Sequence, residues 1–307
     1  MTGAIGWRVW LSGAPLYAVD LLAHDPLIIA AWTSPRDVFF FGAYDAEYLG
    51  QLTIPAAPAS DPAHGSWRDF LDGLRAPDGT WLPVVPAGMW RVLTSHDGQM
   101  RVIHSRQDIL IEIDGDIIPL ARDGDESLAA VALDRELGTV AALDGRSHVQ
   151  FFQQALAMGA FPLDGKLPAD GCFLALPDAS DAALVVGAGQ ALLVDTSGQI
   201  HHRLALGASP SAMAAASSGG LVLVAEGASL RVMSAELTPL RQASGPSLLA
   251  VLDPLDDETA GAPIDSSLPV CVAAAAADGV IAFGLGGTLG VTAIEALNLL
   301  PQPRPLL

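Results

Sequence analysis

The segments of this chain that could do chemistry fall into five groups. The glycine run GLGGTLG (284–290) has the look of a nucleotide loop. A G-x-G-x-x-G reading from Gly284 needs a third glycine where Leu289 stands, and no βαβ pattern surrounds it, so hairpin glycines are expected. Of the seven histidines only His201 and His202 are adjacent. Strand alternation would send them to opposite faces with no carboxylate at ligand spacing, which gives no metal site. Asp114, Asp116, Asp144 and Asp195 stand at corners between apolar runs. Gathered at one mouth of a channel they would suit a calcium-dependent hydrolase, although turn chemistry alone accounts for aspartate there. Asn298 is the only asparagine, so amide ligands for such an ion are scarce. No serine lies in a G-x-S-x-G context. The expectation is therefore no catalytic residue, no cofactor and no metal.

Cys172 and Cys271 lie in separate apolar strands without CxxC or Cys/His spacing, and read as buried thiols in a reducing compartment. The last group is aromatic. Ser66 could cap a short helix on which Trp67, Phe70, Leu71 and Leu74 share one side. Trp67, Arg68, Phe70, Leu74 and Trp81 are the candidate partner-binding residues, since Trp with Arg is enriched where proteins dock. The competing reading is that these aromatics pin the segment to the body of the fold. If they bind a partner, Trp67→Ala and Phe70→Ala would weaken binding with little loss of melting temperature.

What positions these residues is an all-β repeat. Three copies of a four-strand unit begin at Ser127, Asp170 and Pro210, each an apolar run turning back at a Gly or Asp corner. A period near 40 residues with four strands per unit is the pattern of propeller blades. Met100, Thr139, Ala183 and Leu221 occupy corresponding second-strand positions. Upstream, 27–54 reads as one unit and 81–121 as another. Downstream, 269–279, 280–287, 288–297 and NLLPQP make the last. The alanine runs at 212–216 and 273–277 are read as inner strands despite their helical propensity. Residues 5–24 read as a strand pair given to a closing blade. Seven blades are favoured over six, in one domain spanning 1–307, with insertions at 55–80 and 254–267. The second insertion is acidic and reads as a flexible surface loop.

Composition narrows the function. Hydrophobic residues make up 51% of the chain and charged residues 16%, enough for a large core and too apolar for global disorder. The formal net charge is −19 and Lys166 is the only lysine. Nucleic acid and anionic lipid both demand basic stripes, which are missing. A partner with a basic surface would be steered in. No stretch of about 18 apolar residues escapes turn signals, so no membrane span is expected. No leader pattern precedes the first strands, and the chain reads as cytoplasmic.

The 127–245 core, and more loosely 7–300, resembles the β-propeller superfamily in its WD40-like or quinoprotein-like form. The likeness is in repeat length and strand count. No Trp-Asp dipeptide ends a third strand and no Gly-His pair opens a repeat, so the WD40 structural network has no place here. What the resemblance implies is a rigid ring used as a docking platform. The expected function is a non-enzymatic interaction scaffold or complex subunit, docking another protein on the ring's rim and the 55–80 insertion. The alternative is a metal-dependent lactonase-like hydrolase at the channel mouth.

Overall fold

The computed structural model describes residues 6–22, 26–62, 66–163, 172–176, 181–206, 212–215, 221–234, 236–264, 270–275 and 279–299. Six antiparallel sheets follow one another along the chain, at 18–53, 84–119, 128–162, 173–205, 212–244 and 270–293. The sixth takes its fourth strand from the N-terminus, where Gly6–Trp10 pairs antiparallel with Thr288–Ala293.

Why these sheets must stack is visible in a single strand. Ile28–Trp32 is buried at all five positions. Ile28, Ala30 and Trp32 pack toward the second sheet, Ile29 and Ala31 toward the sixth. With a side-chain period of two, a strand apolar throughout needs a partner on each face. The same rule holds around the molecule. Six apolar clusters fill the six spaces between neighbouring sheets, including the space between the sixth and the first, where Trp7, Leu289 and Val291 meet Val19, Ile29 and Phe41. Six sheets with six interfaces form a ring, and the fold is a six-bladed β-propeller.

Several sequence-based expectations are corrected here. There are six blades, because the two N-terminal strands do not stay together as a closing pair. Gly6–Trp10 joins the sixth sheet, while Ala18–Leu22 becomes the first strand of the first. Of NLLPQP, Asn298–Leu299 does not end the last blade but pairs with Arg241 and Gln242 of the fifth sheet, and 300–303 lie outside the described residues. Residues 245–251, left unassigned by the repeat, form helix α2 (Gly245–Val251), with proline at its start, where a missing N–H costs nothing. The acidic insertion, expected as a flexible loop, carries regular structure in its described part. Asp253–Pro254 runs parallel to Trp7 and Arg8, and α3 (Asp257–Gly261) follows, capped by Asp256 accepting from the Thr259 N–H at 2.6 Å. Its residues 265–267 lie outside the described residues. Of the alanine runs, 212–215 and 273–275 lie in the strands Ala212–Ala215 and Val270–Ala275, as read, and 216, 276 and 277 lie outside the described residues.

The second sheet has five strands, and hydrogen bonds tell which four are the repeat. Leu128 N–H, opening the third sheet, donates to Arg106 O in the turn after Met100–His104. Val270 N–H, opening the sixth, donates in the same way to Gly227 O in the turn after Leu221–Glu226. Met100–His104 is thus a second strand, matching its sequence register, and Val84–Ala87 is an added strand before the repeat. In the first, third, fourth and fifth sheets a β-bulge interrupts the pairing of the third and fourth strands.

The N-terminal strand is held from three directions. Arg8 is buried, its guanidinium donating to Leu252 O at 3.4 Å and Thr259 O at 3.2 Å. Trp10 N–H donates to Thr259 Oγ1 at 2.9 Å, and Leu255 N–H to Arg8 O at 3.0 Å. Removing the guanidinium takes a donor from both buried carbonyls, and Thr259 O keeps only the Ala262 N–H at 3.3 Å, a loss of about 1–3 kcal/mol. Arg8→Ala is therefore expected to lower the denaturant midpoint with no change in slope, read by circular dichroism in urea.

Candidate functional site

The 55–80 insertion leaves the first sheet at Ile54 and reaches the second sheet through helix α1 (Ser66–Asp72). The helix is amphipathic as expected, but its apolar side faces inward. Trp67 and Leu74 are 0% exposed and Phe70 is 6% exposed, all within the cluster between the first two sheets. Trp67 Nε1 donates to Ser60 O at 3.0 Å, and its ring meets Phe70 edge-on with centroids 5.3 Å apart. These three residues are core. The expectation that Trp67→Ala and Phe70→Ala would leave melting temperature nearly unchanged is overturned by that burial.

The polar side of the insertion faces out. Arg68, Asp69, Asp72 and Arg75 are exposed, and Trp81 is half-buried. Trp81 lies on the first turn of the repeat in the second sheet. Gly98 there has φ +71°, and a Cβ would overlap the indole nitrogen, so the contact demands glycine. Arg75 Cζ stands 3.5 Å and Arg101 Cζ 4.4 Å from the centroid of the Trp81 ring, both within cation–π range. Arg101 is buried and forms a 2.8 Å ion pair with Glu112 Oε2, directly opposite on the next strand, and a 3.3 Å contact with Asp72 of α1. Glu112 Oε1 accepts from Gly115 N–H at 3.0 Å, and Arg68 packs its guanidinium over that same Gly115. Two charges in the protein interior are tolerable only when paired and hydrogen-bonded in this way. Of the five predicted residues, then, Arg68 and Trp81 reach the surface and Trp67, Phe70 and Leu74 hold them there. Sequence reading missed Arg101 and Glu112. Their signal was present: each is a charged residue inside an otherwise apolar strand.

The same end of the molecule continues onto the third sheet. His96 N–H donates to Arg135 O and Arg135 Nε donates to Thr94 O, each at 3.1 Å, joining the first turns of the two repeats. Beside Arg135, Leu137 is 51% exposed. Leu156, at the turn between third and fourth strands of the same sheet, is 74% exposed.

The other candidate groups are accounted for locally. Asp144 Oδ1 accepts from the N–H groups of Arg146 and His148, and Asp195 Oδ1 from those of Ser197 and Gln199. Asp114 has φ +55° in a two-residue turn, with Asp116 opening the next strand. Hydrogen bonds from Ser197, then His201 and the turn amides, hold Asp195 well below the usual carboxylate range. His201 does have a carboxylate neighbour, Asp195 Oδ2 at 2.7 Å, contrary to the expectation from alternation. The bulge in this sheet skips His201, with Ile200 and His202 paired on either side, and turns it back to the hairpin. Among the described residues no three His, Cys, Asp or Glu side chains are grouped to hold a metal. Gly284 and Gly286–Gly287 sit on a strand and its hairpin turn, with Gly287 against the Ser12 backbone. Cys172 is a buried thiol, its pKa raised by burial, and the Cys271 side chain lies outside the described residues.

No family model and no curated protein matches the chain. Among solved structures 1260 chains match, a breadth that identifies a fold and no function. Raptor from Chaetomium thermophilum is 11% identical, with TM-score 0.60 over 94% of this chain. The match covers 29% of Raptor, so the chain spans under a third of that protein's length. The computationally designed Ika8 protein is 12% identical, with TM-score 0.57 over 95% of this chain and 100% of its own. At this identity the likeness is one of fold. No described helix is long and apolar enough to cross a membrane.

Trp67→Ala is expected to cost about 3–5 kcal/mol, read as a large fall in melting temperature, whereas Arg68→Ala leaves it within about 0.5 kcal/mol. A second expectation concerns pH. Burial, opposed by a Ser105 backbone hydrogen bond and reinforced by Arg91, lowers the pKa of His104 from 6.5 to about 4. Between those values the unfolded chain binds the proton and the folded one does not, so stability falls as pH drops from about 6.5 to about 4 and the effect is complete below that. The gap amounts to on the order of 3 kcal/mol. His104→Gln should lose correspondingly less than wild type when urea midpoints at pH 7 and pH 4.5 are compared.

Proposed function

We propose that this β-propeller is a non-enzymatic docking platform, a scaffold or complex subunit that seats another protein where the 55–80 insertion meets the second and third sheets. The supporting observation is the way the insertion is built. Its apolar side is anchored by Trp67, Phe70 and Leu74, so Arg68, Arg75 and Trp81 are presented on a fixed frame, and Leu137 and Leu156 are exposed at turns of the neighbouring third sheet. Binding surfaces that are already ordered lose little conformational entropy on association, and aromatic and arginine residues are enriched among the anchors of such surfaces. The net charge of −19 favours a partner with basic surface elsewhere on its contact. In this reading the pairing of Gly6–Trp10 with Thr288–Ala293 is the clasp that closes the ring and keeps the platform rigid. The buried thiol of Cys172 fits a reducing, cytoplasmic setting.

The test uses surface variants, because deleting the insertion would also remove core. Arg68→Glu combined with Leu156→Asp should keep the wild-type melting temperature and lose a stoichiometric partner in affinity capture, with at least about tenfold weaker binding of that partner once purified. Equal capture by wild type and the double variant would reject this surface.

A further inference from the structure

A second feature lies on the outer half of the first sheet, beside the point where the insertion leaves it. Thr33, Asp37, Phe39, Gln51, Leu52 and Thr53 line a cleft of about 220 Å³. Strand pairing puts its chemistry together: Asp37 lies opposite Thr53, and Phe39 opposite Gln51. Typical small-molecule sites enclose about 300–1,000 Å³, so this cleft suits one side chain or its equivalent.

Its polar groups favour a cation. Asp37 Oδ2 accepts from Ser34 Oγ at 2.7 Å and Oδ1 from Thr53 Oγ1 at 2.9 Å. Those two hydroxyls, with Arg36 adding a smaller effect, hold Asp37 below the usual carboxylate range, so it is charged at neutral pH. A carboxylate has about four acceptor positions, and each oxygen keeps capacity for a further donor. Arg36 does not use it, for its Nε donates to Ile54 O at 2.8 Å. Among the described residues, no cation is ion-paired with Asp37 within 4.0 Å. The side of the cleft is aromatic, with Phe39 partly open to solvent and Tyr48 next to it, centroids 6.5 Å apart. Gln51 and Thr33 add neutral oxygen acceptors. An ionised carboxylate beside an aromatic face, with acceptors around it, matches a planar guanidinium better than an anion or an apolar group.

We propose that the Thr33–Asp37–Phe39–Gln51–Thr53 cleft is a binding site for a single guanidinium-bearing side chain, an arginine presented by a peptide or protein. Asp37 supplies the charge, Phe39 the face on which the guanidinium lies, and Gln51 a directional acceptor. This site does not depend on the docking surface at the insertion, and either can fail without the other.

N-acetyl-arginine amide is the probe, with N-acetyl-citrulline amide as its neutral isostere, each titrated into the full chain and followed by isothermal calorimetry and by backbone amide shifts. Saturable binding of the arginine compound is expected, with the citrulline compound at least about tenfold weaker. Asp37→Asn should show a similar loss. Gln51→Glu, at an exposed position, should tighten arginine binding several-fold, a gain that misfolding cannot produce. Equal affinity for the two compounds overturns the assignment, as does unchanged arginine binding by Asp37→Asn. Absence of saturation into the millimolar range in both wild type and Gln51→Glu overturns it too.

Discussion

The constraint behind this molecule is that each of its sheets is apolar on both faces. A four-stranded sheet with one oily face can rest on a layer of helices. A sheet with two must be sandwiched, and so must its neighbours, without end. A row of such sheets always leaves two faces bare, and bending the row into a circle leaves none. The strand Ile28–Trp32, buried at every position, makes the demand in five residues. The meeting of Trp7 and Val291 with Val19 and Phe41 satisfies it for the circle as a whole.

The same packing rule explains what could be read in advance. The three central repeats were legible because their corners, Asp144–Gly145 and Gly187–Gly189 among them, punctuate apolar runs of one length. Met100 kept its register with Thr139, Ala183 and Leu221 even though an extra strand precedes it. The two ends of the chain were not legible. Nothing local in GWRVW distinguishes a partner at Thr288–Ala293 from one at Ala18–Leu22, since both are short apolar strands. Blade number followed that ambiguity, and so did the wrong placing of Asn298–Leu299.

The insertion illustrates a different limit. A helix with Trp67, Phe70 and Leu71 on one side is certain to bury that side, but the pattern is the same whether it is covered by its own protein or by another. Proximity decides, and proximity is a property of the fold. The Arg101–Glu112 pair was hidden for a related reason. Each stands out as a charge in an apolar strand, but only the cross-strand register brings the two together beneath Trp81. The His201–Asp195 contact depended on a bulge that no alternation rule anticipates.

The bulges in the fourth strands have a consequence for life at high concentration. An uncharged outermost strand such as Leu156–Pro162 is the kind of template on which amyloid growth begins, since its unpaired N–H and C=O groups invite addition of another chain. A bulge breaks the regular spacing of those groups and twists the strand, so an incoming copy finds no long straight ladder to extend. With one lysine in the whole chain, this protein lacks the charge most often used to guard such strands. The outer strands carry irregular backbone instead, in four of the six sheets.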